Sequence, residues 1–426
     1  MTPIAISDLI RVFGRIGLLS FGGPAAQIAL MHKELVDDRA WISEQQFLSA
    51  LSFCMLLPGP EAMQLATFSG WRLRGVLGGL IAGCLFVIPG ACVIAALAVI
   101  YAYFGTVPLV QSAFLGIKAA VVVIVAHALL KLGRKALRNR FDHGIAALAF
   151  VSIYLLDTPF PAVVATAALV GFLFAPRRHA PAPVEIARLD AVVGARQTLR
   201  TVLIWGGLWA VPLLGLWLSG HTFLTTIGVF FSTLALVTFG GAYAVLAYMT
   251  QTVVTDLHWL TTAQMIDALG LAETTPGPLI LVTQFVAMQA GFQIGSLGLA
   301  CAAGAIALWM TFIPCFLWVF TCGPYFDKLS RKPKLAAALS GVTAAIVGVI
   351  LNLSLWFAMH IWFTQIEMRS FGPMQILIPS VESFAPLSLA LTGIAGWALL
   401  RHGAGMALTL CGMALLGVVT GLINLI

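Results

Sequence analysis

Apolar residues run along this chain in blocks too long and too evenly apolar for the one-sided stripe of a soluble helix, and charged residues are confined to the short stretches between them. Blocks at about 76–104, 109–130, 201–219, 294–322, 335–363, 382–400 and 404–426 each predict a helix that reaches across a hydrocarbon core of roughly 30 Å. Two shorter blocks, about 143–157 and 159–175, predict a pair of tighter spans. Other apolar segments are interrupted. Residues 9–20 and 25–35 flank Phe21-Gly22-Gly23-Pro24, and residues 45–71 enclose Pro58-Gly59-Pro60. Proline has no backbone N–H and clashes with the preceding turn, so each interruption predicts two short helical pieces around a break. The thirteen residues 45–57 make roughly 20 Å of helix, too little to cross alone. Interrupted backbone at such depth is tolerated only where it is buried in protein or lines a polar cavity. A broken segment either crosses or returns as a re-entrant hairpin. Counted as crossings the pattern gives about thirteen passes, and as re-entrant about nine.

Composition fixes the class. With 60% hydrophobic and 9% charged residues and a mean hydropathy of +1.01, the chain is excluded from the soluble globular proteins, which carry about 25% charge. The fold class is an all-α polytopic membrane protein, and the lipid bilayer is its first partner. A net charge of +7 in a soluble chain would point to nucleic acid, but here the basic residues sit in short loops, so no nucleic-acid partner is expected. The seven cysteines lie in apolar stretches without Cys-x-x-Cys spacing and read as small core residues, with no metal site or disulfide frame. The N-terminus lacks the pattern of a cleaved signal peptide, so the first apolar segment is expected to be retained.

The breaks are duplicated. Ser20-Phe21-Gly22-Gly23 aligns with Thr238-Phe239-Gly240-Gly241, and the same register carries Trp41 onto Trp259 and Pro58-Gly59-Pro60 onto Pro276-Gly277-Pro278. In nearby registers Gln64 falls on Gln284, Gly75 on Gly295, Gly116 on Gly341 and His127 on Asn352. The chain therefore divides into an N-terminal repeat, 1–178, a Pro- and charge-rich cytoplasmic linker, 179–200, and a C-terminal repeat, 201–426. Arg11, Arg15, Lys33, Arg39, Arg72 and Arg74 surround the first breaks, whereas no Lys or Arg falls between Arg200 and Lys328. By the positive-inside rule the first motif region faces the cytoplasm and the second faces away, with the unmatched span at 201–219 making the flip. The two repeats are predicted to have inverted topology, with helices broken at the FGG and PGP motifs.

After each break the chain restarts as a helix, and the free N–H groups of a first turn carry partial positive charge. Four such termini, around Ser20, Gly22, Gly23, Pro58, Gly59, Pro60, Thr238, Gly240, Gly241, Pro276, Gly277 and Pro278, suit an oxyanion better than a cation. Ala242 replaces the proline of the first half without removing the glycines. Gln64 and Gln284 are candidate neutral ligands for oxygen atoms. Lys118, near the middle of the 109–130 span, stands at a cost of about 3 kcal/mol, so an interaction must offset it. A bound anion is one such partner, and a buried glutamate or an interface reached by snorkelling is another. Its counterpart in the repeat is Thr343, so formal charge comes from one half only. Glu61 and Glu273 flank the Pro-Gly-Pro breaks as proton acceptors or as caps, and His127 lies on the helix of Lys118 as a further coupling candidate or a bonded core histidine.

The run Ser20 to Glu34 (SFGGPAAQIALMHKE), then Arg39-x-Trp41, then Pro58-Gly59-Pro60 with Gln64, echoed by TFGG and Pro276-Gly277-Pro278, resembles the chromate ion transporter family in its two-domain, long-chain form. The resemblance covers nearly the whole chain and departs from it at Gln27, where the family commonly has histidine. It implies a secondary transporter that exports chromate, or a related divalent oxyanion such as sulfate, across a bacterial inner membrane and so confers chromate resistance. It implies no cofactor. Proton antiport or exchange would drive it. An oxyanion channel or a sulfate-type uptake or exchange protein is the alternative, and a homodimer is compatible with either. The chain is not expected to be an enzyme, since no His-Glu-x-x-His, paired membrane aspartates or Ser-His arrangement appears at workable spacing, and without a Walker motif ATP is not expected to be the direct energy source.

Overall fold

A computed structural model describes residues 4–21, 23–174, 194–239, 242–326, 332–371 and 374–423. The expected linker lies mostly outside the described residues, as do Gly22, Gly240 and Gly241. Among the described residues the regular structure is helical apart from one short hairpin. Among the described residues six helices are long and apolar enough to cross a membrane: Glu61–Phe104 (α4), Pro108–Ala136 (α5), Ala195–Leu218 (α8), Leu297–Cys322 (α13, continued by a 3-10 turn to Tyr325), Pro333–Trp362 (α14) and Met406–Ile423 (α16). Shorter helices fill the places between them: Ile6–Leu19 (α1), Gly23–His32 (α2), Glu44–Cys54 (α3), Arg140–Leu156 (α6), Phe160–Phe174 (α7), Thr222–Val237 (α9), Ala242–Gln251 (α10), Thr262–Thr274 (α11), Val282–Ile294 (α12) and Pro386–Gly396 (α15). The protein is an all-α polytopic membrane protein.

The broken segments break where proline and glycine require it. α1 ends at Leu19 and α2 starts at Gly23, whose φ is +77°; α3 ends at Cys54 and α4 starts at Glu61, directly after Pro60. α4 is not one straight rod. At Arg74 and Gly75 the backbone leaves helical geometry, Gly75 taking φ +63°, and the chain folds back so tightly that a Cβ on Gly70 would stand 2.3 Å from the Gly78 carbonyl oxygen. The span predicted from residue 76 therefore begins at a turn. α12 and α13 repeat the arrangement across Gly295, with a Cβ on Gly291 meeting the Ala300 Cα at 2.6 Å.

Smaller devices also recur in the register that pairs Trp41 with Trp259. Ala40 and His258 both take left-handed backbone, φ +49° and +51°. Trp41 N–H donates to the Leu35 carbonyl at 2.9 Å and Trp259 N–H to the Val253 carbonyl at 3.0 Å. Ser43 and Gln46 cap α3 reciprocally, and Thr261 and Gln264 cap α11 in the same way. Trp259 is buried, at 7% exposure.

By contact density the chain forms two compact units, interleaved in sequence. The first comprises residues 1–98, 177–242 and 275–336. Phe13, Phe53, Phe86, Phe231 and Phe285 are fully buried in it. Its α8 has no buried residue and is held from one side, by the Trp205 ring stacked on Phe316 and by Trp309 Nε1 donating to the Leu208 carbonyl at 2.8 Å. The second unit comprises residues 99–176, 243–274 and 337–426. There α5 and α16 approach through small residues: Cβ atoms on Gly116, Gly417 and Gly421 would lie 1.8 Å from the Met413 carbonyl oxygen, 2.1 Å from the Ser112 carbonyl oxygen and 2.2 Å from Ser112 Oγ. A Cβ on Gly341, in register with Gly116, would lie 2.5 Å from the Ala167 carbonyl oxygen. The hairpin, an antiparallel pair of Ile366–Phe371 (β1) and Met374–Pro379 (β2), occupies a stretch that the apolar pattern left as a loop.

Candidate functional site

All four breaks belong to the first unit, and each Pro-Gly-Pro break closes on the Phe-Gly-Gly break of the other half. Gly59 N–H donates to the Thr238 carbonyl at 2.8 Å, and Gly277 N–H donates to the Ser20 carbonyl at 2.9 Å. Interrupting a helix strands donors and acceptors, and inside a membrane these must find each other. Here the donor comes from one motif and the acceptor from the other. Both glycines sit at positive φ, +121° and +87°. A Cβ on Gly59 would reach Gln64 Nε2 at 2.7 Å and Cys315 Sγ at 3.0 Å; one on Gly277 would reach Leu281 Cδ1 at 3.0 Å and Gly90 Cα at 3.3 Å. Gly90 in turn leaves room for the Pro276 carbonyl, which a Cβ there would meet at 2.2 Å.

Glutamine amides line both breaks. Gln64 Nε2 donates to the Pro58 carbonyl and Gln27 Nε2 to the Gly277 carbonyl, each at 2.6 Å. Those bonds orient the amides and leave Gln64 Oε1 and Gln27 Oε1 buried with no hydrogen-bond partner among the described residues, as are Gln284 Oε1 and Ser20 Oγ. Thr238 Oγ1 instead closes the end of α9 on the Leu234 carbonyl at 2.6 Å. Pro58 is half-buried, Pro60 and Pro276 are buried, and Pro278 caps a 3-10 turn, Leu279–Leu281, ahead of α12. Glu61 is the first residue of α4. The N–H groups of Gly59 and Gly277 are thus already used. The donors that a helix start still offers an anion are the first-turn N–H groups beyond them.

The remaining candidates lie in the second unit. Lys118 has a carboxylate partner that sequence reasoning did not name: Nζ stands 3.2 Å from Asp267 Oδ1, while Tyr101 OH donates to Asp267 Oδ2 at 2.8 Å. Asp267 was legible by the rule that singled out Lys118, since it too is an ionisable residue inside an apolar run. Glu273, 4% exposed in the last turn of α11, accepts from Tyr243 OH at 2.8 Å through Oε1, and its Oε2 has no partner among the described residues. A helix C-terminus is an unfavourable place for a negative charge. His127 is exposed on α5. An open cavity of about 440 Å³ in this unit, lined by Asp157, Tyr248, Gln251, Asp256 and Trp356 among others, contains none of the predicted site residues and no Lys or Arg.

A polytopic all-α chain whose broken helices pair within one compact unit is built as membrane transporters are. The chromate transporter family matches residues 7–172 and 225–420, and the chain belongs to that family. It is 32% identical over 347 residues to a chromate transport protein of Cupriavidus metallidurans, covering 81% of this chain and 80% of the relative. It is also 32% identical to a chromate transport protein of Pseudomonas aeruginosa, covering 82% and 80%. An uncharacterized transporter of Bacillus subtilis, YwrA, is 30% identical over 130 residues, which is 30% of this chain and 73% of the relative. No solved structure matches the chain.

Proposed function

We propose that this protein is a secondary transporter that exports chromate, or a related divalent oxyanion such as sulfate, across the bacterial inner membrane, and so confers chromate resistance. The observation that carries the reading is the reciprocal pairing of Gly59 with Thr238 and Gly277 with Ser20, which holds four helix breaks together in one compact unit. The names of the relatives in C. metallidurans and P. aeruginosa supply the substrate. Substrate oxygens are bound in the first unit by first-turn N–H groups after the breaks and by the Ser20 hydroxyl, with Gln64 and Gln284 alongside; Lys118, in the second unit, is a separate, positively charged contact for the anion. An inside-negative potential favours export, because moving a charge through 100 mV is worth roughly 2.3 kcal/mol, about twice that for a dianion. Glu273 is the proton acceptor for coupling, its unpartnered Oε2 being where a proton would sit. The two halves are inverted repeats, a reading supported by the backbone turns and tryptophan bonds that recur in a single register.

Expression in a chromate-sensitive bacterium tests the reading. Cells carrying the protein should accumulate several-fold less radiolabelled chromate than vector controls and grow at higher chromate, and external sulfate at the same potential should not abolish the difference. Equal accumulation at matched expression contradicts it.

A further inference from the structure

Lys118 and Asp267 are joined in an unsymmetrical way. The Lys118 ammonium lies 3.2 Å from Asp267 Oδ1, whereas Oδ2 accepts from the Tyr101 hydroxyl at 2.8 Å. One carboxylate oxygen is held by a neutral donor and the other by the cation. The cation is also the more accessible partner, with a side chain 22% exposed against 7% for the acid. Backbone packing sets the approach: a Cβ on Gly270, one turn after Asp267, would stand 2.4 Å from Ile117 Cγ2, next to Lys118. Nor does the repeated fold require the charges. In register, Asp267 corresponds to Ser49 and Lys118 to Thr343, so the other copy has neutral hydroxyls at both positions.

We infer that Asp267 is a tethered competitor for the transported anion: its carboxylate occupies Lys118 while no substrate is bound and gives it up when an oxyanion arrives, staying bonded to Tyr101. The inference rests on the oxyanion-transport reading above. It adds Asp267 and Tyr101 as positioning residues that tune affinity through Lys118. A pair of this design keeps the lysine from standing bare in the empty protein. It also weakens substrate binding by the strength of the internal contact, which lets substrate leave.

Concentration dependence of chromate uptake into everted vesicles, with chromate-induced thermal stabilisation of the purified protein, tests this in four variants. Asp267→Asn should lower the apparent KM at least threefold while slowing release and so the maximal rate. Tyr101→Phe, which leaves the acid dependent on Lys118 alone, should raise KM about threefold. Lys118→Gln should raise it more than tenfold, and Lys118→Gln with Asp267→Asn should match Lys118→Gln. If the double variant instead returns to the parent KM, or Asp267→Asn leaves KM and stabilisation unchanged in folded protein, the pair is structural and the inference is overturned. Should the parent protein neither move chromate or sulfate nor be stabilised by them, the transport reading itself fails and takes this inference with it. Should Asp267→Asn not fold, Tyr101→Phe decides, an unchanged KM counting against the proposal.

Discussion

Gly59 and Gly277 sit at backbone angles that L-residues adopt at a cost of about 1–2 kcal/mol, and a β-branched side chain suffers more. Either Cβ would also press on its surroundings, Gln64 and Cys315 at one break and Leu281 and Gly90 at the other. Gly59→Val and Gly277→Val should each reduce chromate flux at least tenfold while the protein still inserts in the membrane, as measured by vesicle uptake normalised to immunoblot. Flux above half of normal in both would return the glycines to a packing role. Glu273 gives the second test at this scale. Glu273→Gln keeps the acceptor for Tyr243 but cannot take up a proton, so it should retain chromate-induced stabilisation and lose the stimulation of flux by an imposed proton gradient. Persistence of that stimulation removes Glu273 from coupling. The glycines were legible in sequence because only a special backbone explains glycine between prolines at membrane depth. The carbonyls that they bond to, Thr238 and Ser20 in the opposite half of the chain, were not, since spacing says nothing about which broken ends meet.

Elements in this protein are bounded by chemistry that a sequence displays and joined by contacts that it hides. The starts of α2, α3 and α4 fall where glycine, a serine cap and proline put them. The tight α5–α16 contact escaped notice because Ser112, Gly116, Gly417 and Gly421 look like ordinary small residues of an apolar helix until the two helices touch. Gly116→Leu would place its side chain inside the Met413 carbonyl, so it should force the helices apart and lower the yield of monodisperse protein severalfold in detergent chromatography. Gly412→Leu is the control, because nothing lies within 4 Å of a Cβ there and its yield should stay near normal. Equal yields would mean that the contact contributes little. The β hairpin was missed for a different reason: Met368, Ile376, Leu377 and Ile378 continue the apolar texture of the neighbouring spans.

For the whole molecule, the membrane class and the duplication of the breaks were legible in the residues alone, whereas the way the compact units draw on both halves was not. Orientation rests on basic residues whose distribution is uneven, although Arg15 and Arg39 also serve a local purpose, both pairing with the buried Glu34. Cysteines introduced between Gln251 and Trp259 should react with an impermeant reagent from outside the cell, and cysteines between Lys131 and Arg140 should not. Labelling of both from one side contradicts the inverted arrangement. The central claim is that this architecture moves a tetrahedral dianion outward. Everted membrane vesicles, whose lumen corresponds to the cell exterior, test it most directly. With an interior-positive potential imposed, they should take up radiolabelled chromate against its concentration gradient, and excess sulfate should slow that uptake. Uptake that never exceeds the external concentration, or that matches vesicles without the protein, would contradict the account.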